Sequence, residues 1–420
     1  MNDTATKSSK SPLLIVFVTV FIDLLGFAIV LPLLPRYATA FDASNMRIGV
    51  LMASFSAMQF VFAPIWGRIS DRIGRRPVLL VGLAGATLFY GLFGYATSLG
   101  GSGSLLGLDA MNWLFITRIG AGIACATIPT AQAYIADVTT AENRTKGMAM
   151  IGAAFGIGFT FGPLIGSLFV SEDPTAPPSP MAGYVASGLS GLAFLWALAK
   201  LPESLKPGIA PASGGHFQLS RIGKAFRHPG VLMVLLTILL TTTAFGQFET
   251  TLSKLTKELE LGDRSNFYVF AYVGFVLTVA QGGIIRKLAT RVKPEKLALG
   301  GSMLMVVGLL LIGMAAEDRS VVKLTVFLPI VVLGFAALTP SLQSLISLRS
   351  PADQQGEFLG VGQSMSALAR ILGPIIGFGV FSEQQLGRPY WVGAGLMVVG
   401  VLFVWLLRSP AKTLEVGVDR

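Results

Sequence analysis

The chain has 420 residues, of which 53% are hydrophobic and only 13% are charged, and its formal net charge is +10 at pH 7. A soluble domain carries about 25% charged residues, so this composition excludes a water-soluble globular protein and indicates several membrane-spanning segments. The positive charges are divided among short segments between apolar ones, so they predict membrane topology and argue against a nucleic-acid partner.

Apolar segments of about 20 residues, the length that crosses a bilayer as a helix, recur along the whole chain. Charge clusters and Pro/Gly breaks divide the chain into twelve predicted spans, numbered here in chain order: 12–36, 46–66, 77–97, 112–136, 146–169, 181–200, 230–252, 265–286, 296–316, 321–347, 356–381 and 389–408. Span 1 is too long for a signal-peptide core, so we expect it to be retained. Spans 1, 4, 7 and 10 carry polar residues and are expected to line a water-filled cavity.

Lysine and arginine are concentrated in alternate loops. With the N-terminus in the cytoplasm, the basic segments 67–76, 144–146, 200–227 and 286–296 all lie on the cytoplasmic side, as the positive-inside rule requires. The sequence therefore predicts an integral, multi-pass protein of a bacterial inner (plasma) membrane with both termini in the cytoplasm.

An internal repeat predicts two halves. PTAQAYI from Pro129 recurs as PSLQSLI from Pro340, and GPLIG from Gly162 recurs as GPIIG from Gly373, in both cases 211 residues later. This offset corresponds to six spans, an even number, so the halves have the same orientation, as in transporters built from parallel repeats. We expect an all-α membrane protein of two pseudo-symmetric six-helix halves, residues 1–200 and 230–420, joined by a cytoplasmic loop, 201–229.

The segment GRISDRIGRRPVLL, residues 67–80, places five charged side chains between two apolar spans. Gly67 and Gly74 permit close helix approach and a tight turn, and Pro77 suits the first turn of the next helix. The simplest interpretation is that the arginines only enforce topology, but that role needs neither Asp71 nor the two glycines.

Several motifs along nearly the whole chain resemble the major facilitator superfamily. The pattern G-x-x-x-D-R-x-G-R-R/K of its loop between helices 2 and 3 is matched in order by Gly67, Asp71, Arg72, Gly74, Arg75 and Arg76. DLLGFAIVLPLLP from Asp23, RIGAGIACA from Arg118 and GIGFTFGPLIG from Gly156 are similar to motifs of helices 1, 4 and 5 in the drug/proton antiporters. AYIADVTTAENR from Ala133 and LPES from Leu201 are similar to the tetracycline-efflux branch.

This resemblance implies a gate on the cytoplasmic side. Asp71 is expected at the N-terminal end of span 11, where the helix dipole favours a negative charge. Arg75 and Asp137 are expected to complete a charge-linked contact that closes the inner side and breaks when the halves rock.

Span 5 contains Gly158, Gly162, Pro163 and Gly166. Glycines four residues apart allow close helix packing, which explains them without further function. The resemblance adds a second interpretation, in which span 5 bends at Gly162-Pro163 and seals the outer leak path.

Coupling to an ion gradient requires a titratable group at membrane depth. Asp23 is the leading candidate, because a rise of about 1.5 Å per residue places it near the middle of span 1. Our hypothesis is that protonation of Asp23 and its competition for Arg118 link proton entry to conformation, and the alternative is a fixed Asp23–Arg118 pair. Glu249 is a second candidate, unless Arg370 neutralises it as a static counterion or it snorkels to the outer interface.

Three glutamines, Gln132, Gln247 and Gln343, lie on spans 4, 7 and 10. They are candidate hydrogen-bonding groups of a substrate cavity, although a buried glutamine also commonly satisfies helix contacts.

The sequence thus predicts a secondary transporter that is not an enzyme and exports amphipathic or cationic small molecules in exchange for protons, by alternating access. We expect it to work as a monomer in membrane lipid, without a cofactor or metal. Spans 8 and 9 contain no histidine or carboxylate, whereas tetracycline/proton antiporters typically place a His and an Asp there. The alternatives are a facilitator or symporter for a lipid, sugar or other metabolite and, more remotely, a receptor or scaffold that does not transport.

Overall fold

The structure is a computed structural model that describes residues 10–101, 103–205, 229–350 and 355–407. Within these ranges, eleven helical segments are long and apolar enough to cross a membrane, and Ala154–Phe169 is a shorter apolar segment that covers most of span 5. The predicted all-α membrane fold is therefore confirmed. Most of the predicted loop 201–229 lies outside the described residues, which resume at 229 after 205.

The first half contains spans 1 to 6. Their helices are Lys10–Val30 with Leu34–Ala40, Asn45–Ile73, Arg75–Ser98, Ala110–Ala124 with Ile128–Val138, Ala141–Gly166 and Met181–Lys200. A two-stranded antiparallel hairpin, β1 (Ser104–Leu105) and β2 (Leu108–Asp109), precedes span 4, and the 3₁₀ turn Ser167–Phe169 follows span 5.

The second half contains spans 7 to 12. Their helices are Pro229–Glu258, Asp263–Val279 with its π-helical continuation Ala280–Ile285 and the turn Arg286–Ala289, Pro294–Glu317, Val321–Arg349, Gln355–Val380 and Arg388–Leu406. Most of these helices extend a few residues beyond the predicted spans, because polar residues at the membrane surface continue the helical backbone after the apolar pattern has ended.

Helix packing repeats between the halves. Span 1 packs on spans 5 and 6, and span 7 packs on spans 11 and 12. Span 3 packs on spans 4 and 6, and span 9 packs on spans 10 and 12. Each of these contacts in the first half thus has its counterpart six spans later, as the internal repeat predicts.

Prolines interrupt span 1. A proline cannot donate a backbone hydrogen bond and restricts the residue before it, and the two prolines Pro32 and Pro35 coincide with a break between Val30 and Leu34. The break frees the carbonyl group of Pro32 from the helix, and this carbonyl accepts hydrogen bonds from the second half.

The two halves meet mainly at one face. We call the face at which span 1 begins the inner face, because the charge distribution predicts it to be cytoplasmic, and the opposite one the outer face. Span 2 packs on span 11 and span 5 packs on span 8. A buried apolar cluster toward the outer face of the first half includes Phe267 and Phe378 from the second half. The described contacts between the halves therefore hold them together at the outer face.

Candidate functional site

Asp23 lies in the middle of span 1, half-buried and surrounded by protein. Its Oδ1 accepts a hydrogen bond from the thiol of Cys125, with an Sγ to Oδ1 distance of 3.8 Å. The same sulfur lies 3.9 Å from the hydroxyl oxygen of Tyr90. Asp23 therefore begins a short chain of polar groups that connects span 1 with spans 4 and 3.

Arg118 is buried, with 2% of its surface exposed, and its guanidinium carbon lies 4.3 Å from the ring centre of Phe55 and 5.8 Å from that of Phe27. Its Nε and Nη1 atoms have no hydrogen-bond partner within the described part of the chain. Among the described residues Arg118 makes no ion pair with Asp23, so a fixed pair between the two is wrong for this conformation. Aromatic faces stabilise the cation in place of a carboxylate.

Glu249 and Arg370 occupy spans 7 and 11. Arg370 is exposed, and Glu249 is half-buried. The two charges interact electrostatically, but they do not form an ion pair within 4 Å in the described part of the chain. Arg370, the predicted counterion, therefore interacts with Glu249 through its charge but does not bind it directly.

The three glutamines have different surroundings. Gln132 and Gln343 are exposed on spans 4 and 10. Gln247, by contrast, is 1% exposed, and its Nε2 donates a hydrogen bond to the carbonyl of Pro389 at the beginning of span 12. The predicted cavity position of Gln247 is wrong in this conformation, because the side chain joins spans 7 and 12 instead.

Gln343 lines a small groove within the second half. The groove lies between spans 7, 10 and 11, and its walls carry neutral polar and apolar side chains: Ile238, Thr241, Thr242, Thr339, Leu342, Gln343, Ile346, Leu359, Gln363 and Ser366, together with Gly362.

An ion pair joins the halves at the outer face. Arg36, at the outer end of span 1, donates from Nε to Oδ1 of Asp263 on span 8 at 2.5 Å, and its side chain is 3% exposed. Its other nitrogens donate to the hydroxyl of Thr256 and the carbonyl of Leu261. The carbonyl of Pro32 accepts from Ser253 Oγ at 2.5 Å and from Asn266 Nδ2 at 3.1 Å. We call these seven groups the outer seal: the side chains of Arg36, Asp263, Thr256, Ser253 and Asn266 and the carbonyls of Pro32 and Leu261.

The glycines of span 5 lie against its neighbours. A Cβ atom on Gly158 would lie 3.2 Å from Cβ of Leu24, and one on Gly162 would lie 2.6 Å from Cβ of Ala28, both on span 1. A Cβ on Gly166 would meet the ring of Phe267 on span 8 at 2.6 Å. Span 5 continues as a helix through Pro163 to Gly166. Close packing thus accounts for the three glycines, and bending at Pro163 stays a prediction.

At the inner face, Arg75 holds two carboxylates. Its Nη1 donates to Asp71, and its Nε lies 3.2 Å from Oδ2 of Asp137 at the end of span 4. All three residues belong to the first half, so these ion pairs join spans 2, 3 and 4 to one another and do not bridge the halves. Residues 351–354, before span 11, lie outside the described residues, and the contact of Asp71 with that end of span 11 stays a prediction.

Glu203, which was not singled out from the sequence, binds beside Asp71, Arg75 and Asp137, the three residues that we call the inner cluster. Its carboxylate accepts from the backbone N–H groups of Arg75 at 2.9 Å and Arg76 at 3.1 Å, which begin span 3. A carboxylate at a helix N-terminus satisfies backbone donors and favours the helix dipole. The neighbouring residues pack on the same half, because Leu201 is buried, the Pro202 carbonyl accepts from Tyr134, and Ser204 Oγ donates to Asp137.

The glycines of the 67–80 segment differ from each other. Gly74 has a φ of +106°, a conformation that favours glycine, and a side chain there would meet Glu203. A Cβ on Gly67 would meet no atom within 4 Å, so the close helix approach predicted at Gly67 is wrong in this conformation. Arg72 is exposed, whereas Arg76 donates to the carbonyl of Leu198 on span 6.

Two repeated six-helix halves that contact each other through spans 2 and 11 and through spans 5 and 8 form the architecture of a secondary membrane transporter built from parallel repeats. A model of the Major Facilitator Superfamily matches residues 16–374, and the chain belongs to this family of transporters, whose members are not enzymes.

Named relatives agree with this assignment. The chain is 31% identical to the tetracycline resistance protein, class E, of Escherichia coli, over 92% of this chain and 93% of the relative. It is 29% identical to the class D protein of Salmonella ordonez, over 96% and 98%. The crystal structure of the human organic anion transporter MFSD10 (TETRAN) superimposes with a TM-score of 0.63 at 25% identity and covers 94% of this chain and 99% of that one. The chain is thus a transporter related to tetracycline-efflux proteins.

Proposed function

We propose that the protein exports amphipathic or cationic small molecules in exchange for protons, by alternating access. The observation that carries this proposal is the position of Asp23, a carboxyl group at the middle of span 1 that makes no ion pair with a lysine or arginine in the described ranges. A carboxyl group in this position can exchange a proton during transport, and Arg118, which interacts electrostatically with the same Tyr90 and Cys125, is a cation that its charged form can attract.

Arg118 is the proposed partner of the charged form. Two of its nitrogens have no acceptor among the described residues. This is energetically unfavourable, because a buried donor without an acceptor loses the hydrogen bonds that it makes in water. In the proposed cycle, loss of the proton from Asp23 attracts Arg118, and uptake of a proton releases it to the faces of Phe27 and Phe55. Glu249 on span 7, which interacts electrostatically with Arg370 on span 11, is a second candidate for proton coupling.

Alternating access needs contacts that form on one face at a time. The outer seal closes the outer face in this conformation, so we assign the complementary contact to the inner cluster of Asp71, Arg75 and Asp137, with span 11 as its partner. The proposal further places the protein as a monomer in a bacterial inner membrane with both termini in the cytoplasm, where the basic loops face the cytoplasm.

The decisive experiment separates coupling from transport. The purified protein and the Asp23→Asn variant are reconstituted into liposomes, and transport of tetracycline and of a fluorescent lipophilic cation is followed with and without an imposed pH gradient. The variant should lose accumulation driven by the gradient, because asparagine does not bind or release a proton in this range, and it should keep exchange of labelled for unlabelled substrate.

Asp173→Asn is the matched control, because Asp173 is an exposed carboxylate in the outer loop after span 5. It should retain both activities. Full proton-driven accumulation by Asp23→Asn would remove Asp23 from the coupling role, and wild-type accumulation that ignores the gradient for every compound would favour the facilitator.

A second candidate function is export of an organic anion. MFSD10, one relative of known structure, is described as an organic anion transporter. In the membrane interior of this chain, Arg118 and Arg370 are two cations that make no ion pair with any carboxylate among the residues the structure describes. An anionic dye added to the same liposomes tests this candidate, which requires transport of the dye to depend on Arg370.

A further inference from the structure

The loop between spans 5 and 6, residues 170–180, belongs to the first half but touches the second half at the outer face. We call this loop the strap. The backbone N–H of Arg264, in the first turn of span 8, donates to the carbonyl of Ser171 at 3.1 Å, and the guanidinium of Arg264 donates to the carbonyl of Val170 at 3.2 Å. Val170 is also buried in the same apolar cluster as Phe267 of span 8. These contacts between the halves are separate from those of the outer seal.

The strap caps span 8. The helix begins at Asp263, and the residue before it, Gly262, has no side chain that accepts a hydrogen bond. The first N–H groups of a helix need acceptors from outside the helix, and the carbonyl of Ser171 is one such acceptor. The carboxylate of Glu172 accepts from the hydroxyl of Ser265, and a negative charge near a helix N-terminus favours the helix dipole. A loop of the first half therefore caps a helix of the second half.

The other end of the strap is fixed to the first half. The hydroxyl of Tyr37, at the outer end of span 1, donates to the carbonyl of Ser179 at 2.9 Å and accepts from the N–H of Ser179 at 3.1 Å. The hydroxyl of Ser179 donates to the carbonyl of Phe169 at 2.8 Å. Proline fixes its own φ angle, and the strap contains four prolines: Pro174, Pro177, Pro178 and Pro180. The strap is thus a constrained loop that moves with the first half.

Gly262 shows how closely the strap approaches span 8. Its φ of −64° and ψ of 169° are angles that any residue adopts, so its own backbone does not require glycine. A Cβ atom on Gly262, however, would lie 1.8 Å from the carbonyl oxygen of Glu172 and 2.8 Å from its Cα. Only glycine permits this approach of one backbone to another. The glycine is therefore needed for the contact with the strap and not for the turn itself.

We infer that the strap is a latch of the outer face: it binds the first turn of span 8 while the halves are joined there, and it separates from span 8 each time the outer face opens. The inference rests on the alternating access of the proposed function, but it requires neither proton coupling nor a particular substrate. The carboxylate of Glu172 is exposed, so water hydrates it when the contact breaks. The latch therefore holds the halves together without burying an ion pair, unlike Arg36 with Asp263.

Gly262→Ala tests the latch. The added methyl group collides with the strap when the halves are joined at the outer face, and it has no strap to meet once they separate. Alanine is compatible with the φ and ψ of this residue. Gly101→Ala is the matched control, because Gly101 lies in another loop of the outer face and the nearest described atom to its Cβ would be the carbonyl oxygen of Ala40, at 3.9 Å.

Two distances are measured by double electron–electron resonance on spin-labelled full-length protein in lipid nanodiscs. Labels at Thr175→Cys and Glu260→Cys report the distance from the strap to the loop before span 8. Labels at Ser98→Cys and Val322→Cys report the distance between the halves, at the outer ends of spans 3 and 10. All four positions are exposed, and the only cysteine of the chain, Cys125, is buried.

Overpacking by one methyl group costs about 1–3 kcal/mol, so Gly262→Ala should raise the ratio of long to short distances about 5- to 150-fold for both label pairs. Gly101→Ala should match the wild type. Ser265→Ala is a milder second variant that removes only the hydroxyl donor to Glu172. It should shift both ratios in the same direction by about 2- to 12-fold, and it tests the latch even if Gly262→Ala fails to fold.

A longer distance from the strap to span 8 with an unchanged distance between the halves would overturn the inference, because the strap would then be a passive cap. Unchanged distances in both variants, or an equal change in Gly101→Ala, would overturn it as well. Failure of the proposed antiport gives a different result: accumulation in liposomes then ignores the pH gradient, whereas the response of the two distances to Gly262→Ala is unaltered.

Discussion

Replacing Arg36 with methionine should open the outer seal. Methionine keeps an unbranched apolar side chain but removes the charge and every donor that the guanidinium directs at Asp263, Thr256 and Leu261. The side chains of Arg36 and Asp263 are 3% and 18% exposed, so neither is well hydrated while the seal is closed. The variant leaves the Asp263 carboxylate without its partner in the closed form only.

The size of the effect follows from this geometry. A hydrogen bond to a charged group contributes about 1.5–3 kcal/mol, and removing one partner of a buried pair costs about 3–5 kcal/mol. Because Asp263 regains some water at its exposed edge, we expect about 2–3 kcal/mol. This corresponds to a shift of about 30- to 150-fold in the equilibrium toward the form that is open at the outer face.

Cysteine labelling measures this shift. Ser253 is 1% exposed within the seal, and the only cysteine of the chain, Cys125, is buried. A Ser253→Cys protein is treated with a membrane-impermeant maleimide in sealed vesicles that present the outer face, with and without Arg36→Met. The labelling rate should rise with the open fraction.

Lys323→Met is the control, because Lys323 and Asp318 form an ion pair with both side chains about half exposed, 53% and 48%. Exposed pairs contribute little to stability, so its labelling rate should match the parent protein. The reasoning is refuted if Arg36→Met labels at the parent rate, or if Arg36→Met and Asp263→Asn have fully additive effects in the double variant, since directly paired groups are expected to be coupled.

Two further substitutions test helix packing within the first half and the helix cap at the inner face. Gly162→Ala should lower the free energy of unfolding by about 1–3 kcal/mol, because the new Cβ would lie 2.6 Å from Cβ of Ala28. Gly188→Ala is the control and should leave the free energy of unfolding unchanged, because its Cβ would meet no described atom within 4 Å. Equal thermal unfolding curves for the two variants would contradict the packing explanation. Glu203→Gln should lower the free energy of unfolding by about 1 kcal/mol, because it weakens a helix cap, and the melting temperature should fall. Glu260→Gln, at an exposed position, is the control and should not change the melting temperature. A Glu203→Gln protein as stable as the wild type would show that the cap contributes nothing measurable.

The number of spans and the two-half arrangement followed from the sequence because hydropathy and repeats are local properties of the chain. A bilayer forces each span to satisfy its own backbone hydrogen bonds, so an apolar segment of sufficient length has few alternatives to a helix. The contact between Arg36 and Asp263 could not be derived in this way, because 227 residues separate them and each stands at the end of an apolar segment, where a charge is ordinary.

The glutamines illustrate the same limit within the site. Gln247 and Gln343 both interrupt apolar helices, and hydropathy alone does not distinguish a side chain that faces a groove from one that joins two helices. The partner of Gln247 is the carbonyl of Pro389, 142 residues later. Thr241 and Gln363 line the same groove as Gln343 but were not singled out, because a threonine or glutamine among other polar residues gives no signal in the sequence. The surroundings of the buried Thr241 hydroxyl become visible only when the neighbouring helices are in place.

The segment from Leu201 to Leu205 determines where the polypeptide can be divided. Glu203 accepts the backbone donors at the start of span 3, and Ser204 and Pro202 bind Asp137 and Tyr134 of span 4. A first half severed at residue 200 would leave the start of span 3 uncapped and Tyr134 without its acceptor. Two co-expressed fragments should therefore assemble when the break lies beyond Leu205. The first fragment then keeps Glu203 and its helix cap, and each fragment carries part of the linker.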